Sequence, residues 1–178
     1  MFAVNQDFTI VNGNVPVLAR QENGGFQPKI CHLLEFVVKK DTKTMEICKP
    51  FDFATGVQQA ISMWHSSTGA HRLFLLADPD IIKNHFKDPD DFLAFALCLD
   101  EKSCTTIQYF EVNYNFRHSY EPNQKYRRVG TSAIQALQKI YRGCELCGRS
   151  TLDAYKFWTN NGFTRIDGHE LHLHWQQR

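Results

Sequence analysis

The residues Arg127-Arg128-Val129-Gly130-Thr131-Ser132 bring together what an anion site needs. They join a predicted strand and loop to a predicted helix over 130–142. Ala133, Ile134, Leu137, Ile140 and Tyr141 form the apolar face of that helix, and Gly143 stops it. The first turn of any helix presents backbone N–H groups without intrahelical acceptors and a partial positive charge. Gly130 lets the backbone approach a ligand closely. Thr131 and Ser132 add hydroxyl donors, and two arginines stand just outside. A pyrophosphate suits such a site. An amphipathic helix with a polar N-cap and solvated arginines would look the same, so this segment alone leaves both readings open.

Two further stretches flank it. Thr105 to Phe116 alternates as a long strand, with Ile107, Tyr109, Glu111 and Asn113 on one face and Gln108, Phe110, Val112 and Tyr114 on the other. A polar loop, His118 to Lys125, follows. Downstream, Cys144 to Gly148 is a short strand, and Ser150-Thr151-Leu152-Asp153 has the form of a capping box opening a helix to Asn160. Asn161-Gly162 closes that helix, and Phe163 to Ile166 with Leu171 to Trp175 makes a terminal hairpin.

Arg127-x-x-Gly130-x-Ser132 resembles the acetyl-CoA pyrophosphate loop of the GNAT N-acetyltransferase superfamily, Gln/Arg-x-x-Gly-x-Gly/Ala, with Ser at the last position. Asp153-Ala154-Tyr155-Lys156-Phe157-Trp158-Thr159-Asn160-Asn161-Gly162-Phe163 resembles its second signature, Asn-Ala-x-x-Phe-Tyr-x-x-x-Gly-Phe. Ala154, Phe157, Gly162 and Phe163 match, Asp153 replaces Asn, and Trp158 stands where Tyr is common. The resemblance covers residues 92–175 well and 44–91 loosely. It leaves 1–43 as a β-rich N-terminal extension to a 44–178 domain, one compact unit in all.

That resemblance implies an α/β (α+β) fold: a mixed, mostly antiparallel sheet flanked by helices. The strand before the loop and the strand after the next helix splay apart to hold the pantetheine arm. Val112, Asn113 and Tyr114 would line the arm through main-chain groups, although the long loop Arg117 to Tyr126 loosens that register. Arg127, Arg128, Val129, Gly130, Thr131 and Ser132 would hold the pyrophosphate, and Trp158 would touch the cofactor. The implied activity moves an acetyl group from acetyl-CoA to a primary amine, of a small molecule or a protein, by direct attack in a ternary complex.

Such chemistry needs a base, because a lysine-like ammonium has a pKa near 10.4. It also needs main-chain donors for the oxyanion. Glu111 is the candidate base, directly or through a water, unless it is a solvated surface carboxylate. An indole N–H is no proton source near neutral pH. Tyr155, about 4.5 Å earlier along the helix axis than Trp158, is the substitute acid or else a core or rim aromatic. A thiol with pKa around 8.5 can also leave unaided. The alternative is a catalytically weak or inactive CoA-binding module on the same fold, suggested by Trp158.

The supporting elements follow from pattern. Asn12-Gly13 between Thr9-Ile10-Val11 and Val15-Pro16-Val17 signals a hairpin, and Gly24-Gly25 a loop. Ile30 to Val38 and Thr44 to Cys48 suggest a second hairpin. Residues 51–66 look helical, His71 to Ala77 is a buried strand, and Asp78-Pro79 starts a helix. Phe92 to Leu99 is a strand that turns at 100–103.

With 178 residues, 43% hydrophobic and 22% charged, the composition is that of a globular domain. A net charge of +1 argues against an electrostatic nucleic-acid binder, despite the small cluster Lys125, Arg127 and Arg128. Six scattered cysteines make no secreted scaffold, and Cys144-x-x-Cys147 is better explained as a buried pair of small apolar residues than as a metal or redox site. His172 and His174 share a strand face but lack further zinc ligands, so no metal is expected. No signal peptide or membrane-length run is seen, so the expectation is a cytoplasmic protein with no membrane partner. A homodimer is compatible with the sequence.

Overall fold

The strands Phe8–Arg20 and Thr105–Val112 are rich in β-branched and aromatic residues, whereas Ala70–Ala77 and Phe92–Asp100 are built mainly of Leu, Ala and Phe. The computed structural model describes residues 8–36, 70–80, 92–113, 116, 124–169 and 171–176. Among them the strands are β1 (Phe8–Arg20), β2 (Phe26–Phe36), β3 (Ala70–Ala77), β4 (Phe92–Asp100), β5 (Thr105–Val112), β6 (Tyr126–Arg127), β7 (Leu146–Arg149), β8 (Thr164–Arg165) and β9 (His172–Trp175). They form one sheet in the order β6-β1-β2-β3-β4-β5-β7-β9-β8. Every pairing is antiparallel except β5 with β7. This is the expected mixed, mostly antiparallel sheet. Two described helices accompany it, α1 (Val129–Ile140) and α2 (Tyr155–Asn160).

The core lies between α1 and the sheet. Ile134 and Leu137 are fully buried against Val15, Val17, Phe74, Leu76, Ala94 and Cys98. Each such aliphatic side chain contributes about 1.5–3 kcal/mol by leaving water. The opposite sheet face, with Leu34, Leu75 and Phe95, is equally buried.

Several expectations shift. Asn12-Gly13 is not a hairpin turn. β1 runs straight through it with two register shifts, as the Asn12 side chain accepts the Asn14 N–H at 3.0 Å. A short polar side chain absorbs the extra residues as a bulge. The turn comes at Gln21–Gly25 instead, where Gly24 takes φ 81°. β5 ends at Val112 rather than Phe116, because the Asn113 N–H reaches Leu93 O at 3.0 Å and its carbonyl accepts the Phe116 N–H at 2.8 Å. Ser150 opens no capping box. Its hydroxyl donates to Thr151 O at 2.6 Å, residues 152–154 form a turn, and α2 starts at Tyr155 without a side-chain cap. Asp78 does accept the Asp80 N–H at 3.0 Å, as a helix-starting residue should. The predicted helix over 51–66 and the return strand Thr44 to Cys48 lie outside the described residues.

Candidate active site

β5 and β7 run parallel only from Thr105, Thr106 and Ile107 to Leu146, Cys147 and Gly148. Beyond Ile107 they part. At the same place β5 slips one residue against β4: Cys98 faces Ile107, but Leu97 faces Tyr109, so Gln108 is bulged. A bulge re-aims every side chain beyond it. The even alternation expected for 105–116 is therefore broken. Ile107 shares the α1 face with Phe110 and Val112, while Tyr109 and Glu111 face the other way, opposite Leu97 and Phe95.

The fork encloses a cavity of about 680 Å³, walled by β5 from Ile107 to Val112, by Arg149, Ser150 and Thr151, and by Ala154, Phe157 and Trp158. Glu111 lines it but is only 7% exposed, so it is not a solvated surface group. The Tyr109 hydroxyl donates to Glu111 Oε2 at 2.9 Å, and the Tyr109 ring stands edge-on to Phe95 at 6.0 Å. The carboxylate is thus held in one orientation inside a partly apolar chamber.

On the α2 side, Phe157 stacks on Phe110 at 5.7 Å, and Trp158 meets Phe110, Phe157 and Phe163 edge-on. Trp158 is both cavity wall and core. Tyr155 lines neither this cavity nor the next, because Ala154, Phe157 and Trp158 form the cleft-facing stripe of α2 and Tyr155 lies off it.

The start of α1 opens on the same stripe. Arg128 adopts φ 60° and ψ 16°, the sole positive-φ non-glycine residue among those described. A left-handed residue followed by helical ones curls successive N–H groups inward, making a nest for an anion. The Ser132 N–H donates to Arg128 O at 2.9 Å, the first intrahelical bond. The N–H groups of Val129, Gly130 and Thr131 precede it and have no acceptor within the helix. A second cavity, about 490 Å³, lies here, lined by Gln124, Arg127, Arg128, Thr131 and Asp153 among others. It shares Val112, Thr151, Ala154 and Phe157 with the first, so the two adjoin.

A Cβ on Gly130 would sit 3.0 Å from Phe157 and 3.0 Å from Val112, so the packing of α1 against α2 and β5 leaves little room for a side chain there. The Ser132 hydroxyl points away from the nest and donates to Pro16 O at 2.5 Å. Asn113 lines neither cavity, and its side-chain amide donates to Phe92 O at 3.0 Å. Tyr114 lies outside the described residues. Tyr109, Thr151 and Gln124 were not singled out from sequence. Tyr109 was legible as the residue two before Glu111, whereas the other two are brought in only by the tertiary fold.

The nest is anchored from behind. Tyr126, 1% exposed, donates to Asp78 Oδ2 at 2.6 Å, and Lys29 pairs with the same oxygen at 2.5 Å. Burial alone would raise the Asp78 carboxyl, but the bonds from Lys29, Tyr126 and the Asp80 N–H outweigh it and hold it below the usual range. Burial would lower Lys29, but its bonds to Asp78 and Asp80 lift it above normal. Cys144 is exposed and Cys147 half-buried, so they are not the buried pair expected. Burial, then a hydrogen bond with the free thiol of Cys104, push the Cys147 thiol up to about 12. Among the described residues, no three His, Cys, Asp or Glu side chains converge as metal ligands, and no helix is long and apolar enough to cross a membrane.

No protein-family model matches the chain, and no curated protein matches it. Among solved structures, it is similar to nourseothricin acetyltransferase, with 13% identity over 96% of this chain and 86% of that one, at a TM-score of 0.37. It is also similar to the E234A mutant of a cAMP-binding acyltransferase from Mycobacterium smegmatis, with 12% identity over 90% of this chain and 47% of that one, at a TM-score of 0.39. This chain thus spans about half the length of the second. Likenesses this distant carry no functional argument, which rests on the site's geometry.

Proposed function

We propose that this protein is a GNAT-like N-acetyltransferase that transfers an acetyl group from acetyl-CoA to a primary amine. The observation that carries this reading is the junction of two cavities. The fork between β5 and β7 opens directly onto the nest at Arg128, with Val112, Thr151, Ala154 and Phe157 common to both. A thioester arm in the fork and a pyrophosphate at the nest are joined in one cosubstrate, and the adjoining cavities fit that pairing. Arg127 and Arg128 offer charge to the pyrophosphate, and the N–H groups of Val129, Gly130 and Thr131 offer donors.

Glu111 accepts the proton of the incoming ammonium, directly or through a water. The amine nitrogen attacks the thioester carbon, the tetrahedral adduct collapses with loss of the second nitrogen proton, the C–S bond breaks, and the sulfur leaves with the electron pair and takes up that proton. Its conjugate thiol has a pKa around 8.5, so departure needs no dedicated acid. Tyr109 holds Glu111 through the 2.9 Å bond and so orients the base.

Calorimetry with acetyl-CoA on the wild type and on Arg128→Gly tests the cosubstrate. Arg128→Gly keeps the left-handed backbone and removes the charge, so it is expected to bind several-fold more weakly. No binding by the wild type ends the proposal. A second reading, a CoA-binding module without catalysis, draws on the burial of Trp158 in the core and on the placement of Tyr155 off the cleft stripe. Release of free thiol from acetyl-CoA with any member of an amine panel eliminates that second reading.

A further inference from the structure

We infer that the β1–β2 hairpin is part of the anion site and that Phe26 is a positioning residue for Arg127. The inference rests on the reading of the nest as a pyrophosphate site. Arg127 lines the second cavity, and its guanidinium carbon lies 4.0 Å from the centroid of the Phe26 ring. Phe26 opens β2, 101 residues earlier in the chain. The Arg127 Nε is buried without a hydrogen-bond partner, so no carboxylate or carbonyl fixes the guanidinium through that atom.

The hairpin also holds the loop's backbone. Leu18 and Ala19 of β1 pair with Arg127 and Tyr126 of β6. The Arg20 N–H donates to Lys125 O at 2.9 Å, and Pro16 O accepts the Ser132 hydroxyl. The loop is thus clamped on both sides of Arg128 by one strand. β1 restrains the main chain, and Phe26 restrains the long arginine side chain that extends from it. A flat guanidinium stacks on an aromatic face and keeps its edge donors for an anion. An arginine held by a ring rather than by a carboxylate keeps its full charge for the phosphate.

A double-mutant cycle read by CoA calorimetry tests this. Phe26→Leu is expected to weaken CoA about fivefold, and Phe26→Trp, which keeps a stacking face, to stay within about twofold of wild type. Arg127→Met is expected to weaken it about tenfold, with the double variant no weaker than Arg127→Met alone, because Phe26 acts through Arg127. Unchanged binding by Phe26→Leu, losses that simply add, or failure of Phe26→Trp to retain binding would each overturn the inference. If Phe26→Leu does not fold, Phe26→Met takes its place in the cycle. A wild type that binds no CoA brings down the pyrophosphate reading itself. A wild type that binds, with an indifferent Phe26→Leu, brings down only this inference.

Discussion

Glu111 and Tyr109 sit two residues apart beyond the bulge, and their hydrogen bond lies at the wall of the fork. Glu111→Gln keeps the shape and removes the proposed base, so turnover should fall by about 10²–10⁴ while acetyl-CoA affinity stays near wild type. Thiol release and calorimetry on the same variant separate the two. Tyr109→Phe should lower turnover less, because it loosens the carboxylate without removing it. Gly130→Ala places a methyl 3.0 Å from both Phe157 and Val112. Such overpacking should cost about 1–3 kcal/mol in denaturant unfolding, and the displaced Phe157 should weaken CoA as well.

At the level of elements, β6 has only two residues and depends on its anchors. Asp78 is lowered in the folded state, so its contribution is present above the unfolded value of about 3.9 and is lost as pH falls through the folded one. Lys29 is raised, so its share is present below its unfolded value of about 10.4 and is lost as pH climbs through the folded one. The triad is therefore fully effective between these limits. The stability gap between wild type and Asp78→Asn should be widest near neutrality and should shrink below about pH 4. Melting curves across pH would show this, and a gap that is flat down to pH 3 would contradict it. Tyr126→Phe removes one buried bond and should cost about 1–3 kcal/mol at neutral pH.

Over the whole molecule, β1 contributes Val15 and Val17, each 1% exposed, to the core beneath α1, and it also pairs with β6. A chain lacking residues 1–20 should therefore lose cooperative unfolding as seen by circular dichroism, along with any CoA binding. Ligand linkage acts on the same scale. CoA at a hundred times its Kd should stabilise the protein by about 2.7 kcal/mol and raise its melting temperature.

The helix after Gly130, the Gly143 stop, the β3 and β4 strands and the terminal hairpin were legible because each follows from local φ/ψ preference and apolar periodicity. The grouping of arginines, glycine and hydroxyl residues at the start of α1 could be named from sequence because these residues are contiguous. The face of Ile107, the burial of Glu111, the displacement of Tyr155 from the cleft and the diversion of the Ser132 hydroxyl to Pro16 were not. Each depends on strand register or on a contact between distant segments. A single bulged residue at Gln108 inverts a face that alternation alone would assign the other way. The sequence by itself determined the helix that begins at the Arg127–Ser132 segment and the strand that carries Glu111, because both follow from local pattern. Only the tertiary structure decided that the two belong to adjoining cavities, and that the N-terminal hairpin holds one of them in place, because pairing between residues a hundred apart leaves no local trace.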